Sequence, residues 1–148
     1  MDILSQFAER LKELMFDSKT TPELLSVELN HNIFDIYHWT SANNKYMPTV
    51  ANLIQLANYF NCSIEYLLGM EDGNSLPNPK FELPKFSEWF PCVIKEKGFN
   101  LYQLGKVAKT STTTYYRWIN DVAVPSIDSL IKVSNALNCS IDHIIGRE

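Results

Sequence analysis

Ser111 to Asn120 reads Ser-Thr-Thr-Thr-Tyr-Tyr-Arg-Trp-Ile-Asn, a run in which nearly every residue carries a polar or aromatic group. Ser111 is a good helix N-cap, so a short helix is expected from Thr112 to about Asn120. That helix would present Thr112, Thr113, Thr114, Tyr116 and Arg117. Hydroxyls serve phosphate oxygens or base edges, Thr methyl groups meet the thymine methyl, and a guanidinium donates bidentately to guanine. Lys106, Lys109 and Asn120 flank the same face with groups suited to backbone phosphate. The competing reading of these residues is a polar helix face turned to solvent.

Other chemistries find little support. His31, His38 and His143 have no metal-ligand spacing with Cys62, Cys92 or Cys139, so no metal is expected. A glycine-rich phosphate loop, a nucleophile elbow and a paired-carboxylate constellation are all missing from the sequence, and neither catalysis nor a cofactor is expected. Three cysteines, odd in number and far apart, make no disulfide framework and suit a reducing cytosol. The long uncharged segment Tyr46 to Ser63 contains Asn52, Gln55, Asn58 and Asn61, so no membrane partner is expected. The opening Met1-Asp2-Ile3-Leu4 has no basic region before an apolar one, and no signal peptide is expected.

The chain has 148 residues, 45% hydrophobic and 20% charged, in the ordinary range for a folded protein. Its net charge of -4 argues at first against a polyanionic partner. Division of the chain changes that. Residues 1–72 hold 4 basic and 10 acidic side chains, net -6, whereas residues 73–148 hold 9 and 7, net +2. Only the second part suits phosphates.

The two parts repeat each other. Asn61-Cys62-Ser63-Ile64 recurs as Asn138-Cys139-Ser140-Ile141, and the same offset of 77 pairs Pro48 with Pro125, Leu53-Ile54 with Leu130-Ile131, and Gly69 with Gly146. Upstream an offset of 79 pairs Phe7 with Phe86, Leu25 with Leu104, Tyr37 with Tyr116 and Trp39 with Trp118. So many ordered matches indicate an internal duplication, with two extra residues between Trp and Pro in the first copy. Domains are expected at 1–70 and 86–148, each folding on its own. The Pro-containing segment 71–85 is expected to be a linker that Phe81 and Leu83 could pin onto a domain.

Each copy reads as five short helices, and the absence of sustained period-2 alternation makes the fold class all-α. In the first copy Phe7, Leu11, Leu14 and Met15 form one apolar stripe. Thr21, Asn32, Thr49 and Ser63 are candidate caps, with Pro22 at a first helical position. In the second copy Asn100, Ser111, Ser126 and Ser140 take that role. Pro91 reads as a helix breaker there, unless Ser87 caps the first helix, which would place Pro91 in its first turn.

Two short helices joined by a tight turn within about 60 residues suit a helix-turn-helix. Leu104-Gly105, Ser111, Trp118, Pro125-Ser126 and the block Asn138-Cys139-Ser140-Ile141-Asp142-His143-Ile144-Ile145-Gly146 resemble the Cro/repressor-type, or Xre-like, helix-turn-helix family. Leu25, Trp39, Pro48-Thr49 and Asn61 to Gly69 resemble it a second time. The resemblance implies two five-helix, lambda-repressor-like domains in tandem and a cytoplasmic transcription regulator acting on double-stranded DNA. A two-fold dimer would suit half-sites one helical turn apart. Where the family has Gln early in its second helix, this chain has Leu101 and Pro22, so the usual contacts do not transfer wholesale.

The third helix of the first copy carries Phe34, Asp35, Tyr37 and His38 instead. Asp35 would repel phosphate, and Phe34 with Tyr37 suggest a protein interface, either for a homodimer or for another partner. Packing in a degenerate copy is the plainer account. An interaction module, anti-repressor or adaptor, that keeps the fold without reading DNA is the alternative function. Trp39 and Trp118 are expected as core anchors, and Cys62 and Cys139 as small buried residues.

Overall fold

The computed structural model describes residues 2–148, among which every regular element is a helix. The chain divides into two compact units, Met1–Pro79 and Lys80–Glu148.

The first unit contains α1 (Ile3–Asp17), α2 (Pro22–Leu29), α3 (Ile33–Trp39), α4 (Val50–Tyr59) and α5 (Ile64–Leu67). Each begins at a short polar side chain, Asp2, Thr21, Asn32, Thr49 or Ser63, which accepts a backbone N–H of the first turn. Capping satisfies donors that have no partner within the helix and fixes where each helix starts. Phe7 and Leu11 of α1, Leu25, Ile36, Leu53, Leu56 and Leu67 close the core. Trp39 is buried with the His31 ring edge-on at 5.0 Å. α2 packs on α3, α4 on α5, and α1 against α3 and α5.

The second unit contains α6 (Phe86–Glu96), α7 (Leu101–Ala108), α8 (Thr112–Ile119), α9 (Ile127–Leu137) and α10 (Ile141–Ile145). Asn100, Ser111, Ser126 and Ser140 cap the last four, and Asn100 forms a reciprocal capping box with Gln103. The start of α6 corrects the sequence reading. The helix begins at Phe86 behind Lys85, which makes no side-chain cap, so Ser87 lies inside it and Pro91 stands in its interior. An interior proline removes a helical hydrogen bond and is normally disruptive. Here the aromatic side chains of α6 override that preference. Phe90 lies 5.4 Å from the Trp118 ring and 5.9 Å from Tyr115, and Phe86 stacks on Phe90 at 5.2 Å. The Trp89 indole N–H, 2.8 Å from the His143 carbonyl, ties α6 to α10 as well.

Arg147, fully buried, closes this unit by pairing with the carboxylate of Asp142, itself buried at the start of α10. The Arg147 carbonyl accepts the Lys80 N–H at 2.8 Å. Gly146 sits at φ +86°, and a Cβ there would stand 2.6 Å from two ring carbons of Pro84. Both facts require glycine. The expected linker, mostly exposed, therefore makes contacts near both of its ends. Lys80 and Pro84 lie against the end of the second unit. Asn74 accepts the N–H groups of Ser63 and Leu76, both at 3.0 Å, and donates to the Asn61 carbonyl in the first unit. Leu83 is half-buried, but Phe81 is 63% exposed and pins nothing. Cys62 is buried as expected, whereas Cys139 is only half-buried and Cys92 is exposed.

Two stability measurements check these contacts. Asp142→Ala removes the carboxylate facing a buried guanidinium and is expected to cost about 3–5 kcal/mol in denaturant unfolding. Among the described residues the buried Tyr115 hydroxyl finds no partner in full hydrogen-bonding geometry; burial pushes its phenol above the ordinary pKa of 10.0, and the nearby Thr110 side chain offsets part of that rise. The unfolded chain then releases this proton first, so stability falls as pH rises beyond about 10. Tyr115→Phe is expected to leave the melting temperature equal or higher, by up to about 1 kcal/mol of stability, and to flatten that alkaline limb.

Candidate nucleic-acid interface

The turn between α7 and α8 is built from three local features. Lys109 ends α7 in the left-handed region, at φ 56° and ψ 47°. The Thr110 N–H then returns to the Gly105 carbonyl at 3.0 Å. A Cβ on Gly105 would approach the Thr110 carbonyl to 2.8 Å, so the turn folds back onto α7 only because that residue has no side chain. Ser111 accepts the Thr113 N–H at 3.2 Å and starts α8 immediately afterwards.

α8 has two faces. Tyr115 and Trp118 are buried and meet the aromatic rings of α6. Thr113, Tyr116, Arg117 and Asn120 are exposed at helical spacing i, i+3, i+4, i+7, which makes them one stripe. Ser111 is exposed at its head. Thr112 and Thr114 are half-buried, and the Thr112 methyl lies against α7 near Gly105. Lys106 and Lys109 are exposed on α7 and at its end. All nine residues predicted from sequence thus lie on α7, the turn, α8 or its C-terminal cap, and none is buried.

Electrostatically the segment is one-sided. Residues 99–120 contain Lys106, Lys109 and Arg117 and no Asp or Glu. None of these three cations is in an ion pair among the described residues. The next acidic group, Asp121, is taken by Lys85 at 3.5 Å. A concentration of uncommitted positive charge on an exposed helix pair is what a phosphate backbone attracts.

Sequence reasoning passed over two neighbours. Tyr102 is 66% exposed on α7, with the Lys106 ammonium over its ring at 5.4 Å. Gln103, next to it, is exposed too. The Tyr102–Lys106 spacing of four residues was the available signal, since such pairs share a helix face. Val122 and Val124, exposed in the loop after α8, carried no comparable pattern.

The corresponding helix pair of the first unit is different. Leu24, Val27, Phe34 and Tyr37 are exposed on α2 and α3. The Tyr37 hydroxyl donates to Glu23 at 2.8 Å, which holds the Glu23 carboxyl below and the Tyr37 phenol above their ordinary values. Residues 20–40 contain Glu23, Glu28 and Asp35 and no Lys or Arg. After α3 the longer loop through Asn43–Met47 forms with Asp35, His38 and Trp39 an open cleft of about 480 Å³.

Residues 93–144 match the family model described as helix-turn-helix. The span runs from the middle of α6 into α10 and contains α7, the turn and α8 entire. No curated protein and no solved structure matches the chain. Residues 93–144, about a third of the chain, thus match the helix-turn-helix model, and α7, the turn and α8 within them have the two-helix geometry that description names.

Proposed function

We propose that this chain is a sequence-specific, DNA-binding transcription regulator whose second unit reads the duplex, with no catalytic step and no cofactor. The observation that carries the reading is the exposed α7–α8 segment with three uncommitted cations and no acid, inside the matched region. α8 would enter the major groove, Thr113, Tyr116 and Arg117 facing base edges, while Lys106, Lys109, Ser111 and Asn120 hold phosphates. Thr112 and Thr114, half-buried, would contribute at the margins. The first unit is a second copy of the same architecture, supported by the ordered repeat and by its five capped helices. Its α2–α3 face is acidic and apolar, which favours a protein contact over a phosphate contact there.

A binding series on a selected duplex tests the assignment. Arg117→Ala is expected to cost about 1–3 kcal/mol in specific binding and to relax preference at one base position. If Arg117 grips phosphate instead, affinity drops alike for all sequences and the salt slope shrinks by about one. Asp35→Ala should leave the sequence preference unchanged. An Arg117→Ala protein that binds like the parent, beside an Asp35→Ala protein of altered preference, reverses the roles of the units. Failure of the parent chain to bind heparin or any duplex at low salt would favour the interaction module.

A further inference from the structure

The two helix pairs of this chain carry opposite surfaces at matching positions. At the offset of 79, Val27 stands where the second unit has Lys106, Phe34 where it has Thr113, and Asp35 where it has Thr114. Val27 is 76% and Phe34 68% exposed, and Leu24 and Tyr37 join them on the same pair of helices. Four large apolar side chains exposed within fourteen residues, Leu24 to Tyr37, are more than isolated surface hydrophobics. Glu23, Glu28 and half-buried Asp35 lie among them, and no Lys or Arg relieves that charge, the basic group at hand being the His31 ring, 3.3 Å from Asp35. The bond from Tyr37 to Glu23 joins the two helices and holds a carboxylate beside the apolar residues without burying it.

A surface of that kind fits a partner that is apolar and cationic. The α7–α8 segment of this same chain has that character. Lys106, Lys109 and Arg117 supply three positive charges against three negative ones. Exposed Tyr102, Val107 and Tyr116 supply apolar area among them. We propose that the α2–α3 face of one molecule docks on the α7–α8 face of a second copy. Self-association is then head to tail. Two molecules that each offer both faces can close reciprocally as a dimer, and if the geometry does not close they continue as a chain. Insofar as α7–α8 is the DNA face, which rests on the function proposed above, the acidic unit competes with DNA for it. Duplex and self-association are mutually exclusive, and the protein in store is held off non-specific DNA by its own copies.

Sedimentation of the intact chain, without and with duplex, provides the test. At low salt the parent is expected to sediment above monomer mass, to shift toward monomer as salt rises, and to be released by added duplex. Asp35→Arg and Arg117→Asp should each weaken self-association about tenfold or more, because each turns an attractive pair into a repulsive one. Mixing the two variants should restore a complex, since the exchanged charges then face each other with opposite sign across one interface. Phe34→Ser with Tyr37→Ser should also abolish association with unchanged helicity, both side chains being exposed. A parent that is monomeric at low salt over the whole concentration range, or an oligomer indifferent to all these substitutions, overturns the proposal. The DNA reading is judged separately. A monomeric parent that binds duplex refutes docking alone, whereas a self-associating chain that binds no duplex retains docking and loses the DNA reading.

Discussion

The packing of Phe90 against Tyr115 and Trp118 is the constraint on which the second unit depends. α8 is only eight residues long, too short to hold itself together in water, so its existence rests on what its inner face buries. Two aromatic rings on that face, meeting two more from α6, bury much apolar area and fix the rotation of the helix about its axis. Once that rotation is fixed, Thr113, Tyr116 and Arg117 have one direction in which to point. The same packing explains how α6 keeps a proline in its interior, because α6 is held by what it touches more than by its own hydrogen-bond ladder. Stability and the orientation of the exposed stripe are therefore the same interaction seen from two sides of α8.

Charge then separates two helix pairs of similar plan. The α7–α8 pair lacks acids, the α2–α3 pair lacks lysine and arginine, and both expose aromatic rings. Whole-chain charge averages these opposites into a mild -4 and conceals both. The local distribution is what a partner feels at distances of the order of the screening length, about 8–10 Å in physiological salt. The chain thus exposes two helix pairs of opposite charge.

Much of this was legible in the residues. The caps Thr21, Asn32, Ser63, Asn100, Ser111, Ser126 and Ser140 could be read directly, because a short polar side chain before an apolar period marks a helix start. The inward direction of Trp39 and Trp118 followed from their matching places in the repeat. The start of α6 did not follow, because its determinants are rings on α8, far along the chain, and no local cap announces it. The docking of segment 71–85 was hidden for the same reason. Asn74 finds its partners at Asn61 and Ser63, and Pro84 finds its own at Gly146. Local rules mark a proline-containing connection and its apolar residues, but the partners it meets lie elsewhere in the chain. Which residues touch DNA is not a matter of pattern at all, since exposure makes contact possible without selecting the ligand.

The closure of the second unit by Arg147 has a bearing on how the protein is made. Lys80 and Arg147 stand at the two ends of this unit's sequence, and the guanidinium that meets Asp142 belongs to the later of them. On a ribosome the helix pair and its aromatic support emerge first, while the closing cation follows α10. Until it arrives, Asp142 has no Arg147 to meet and Pro84 has no Gly146 to rest against. Contacts between distant parts of a chain form slowly and late. Lys80 with Arg147 and Pro84 with Gly146 join the two ends of the unit, whereas Asp142 and Arg147, five residues apart, can meet as soon as both are present.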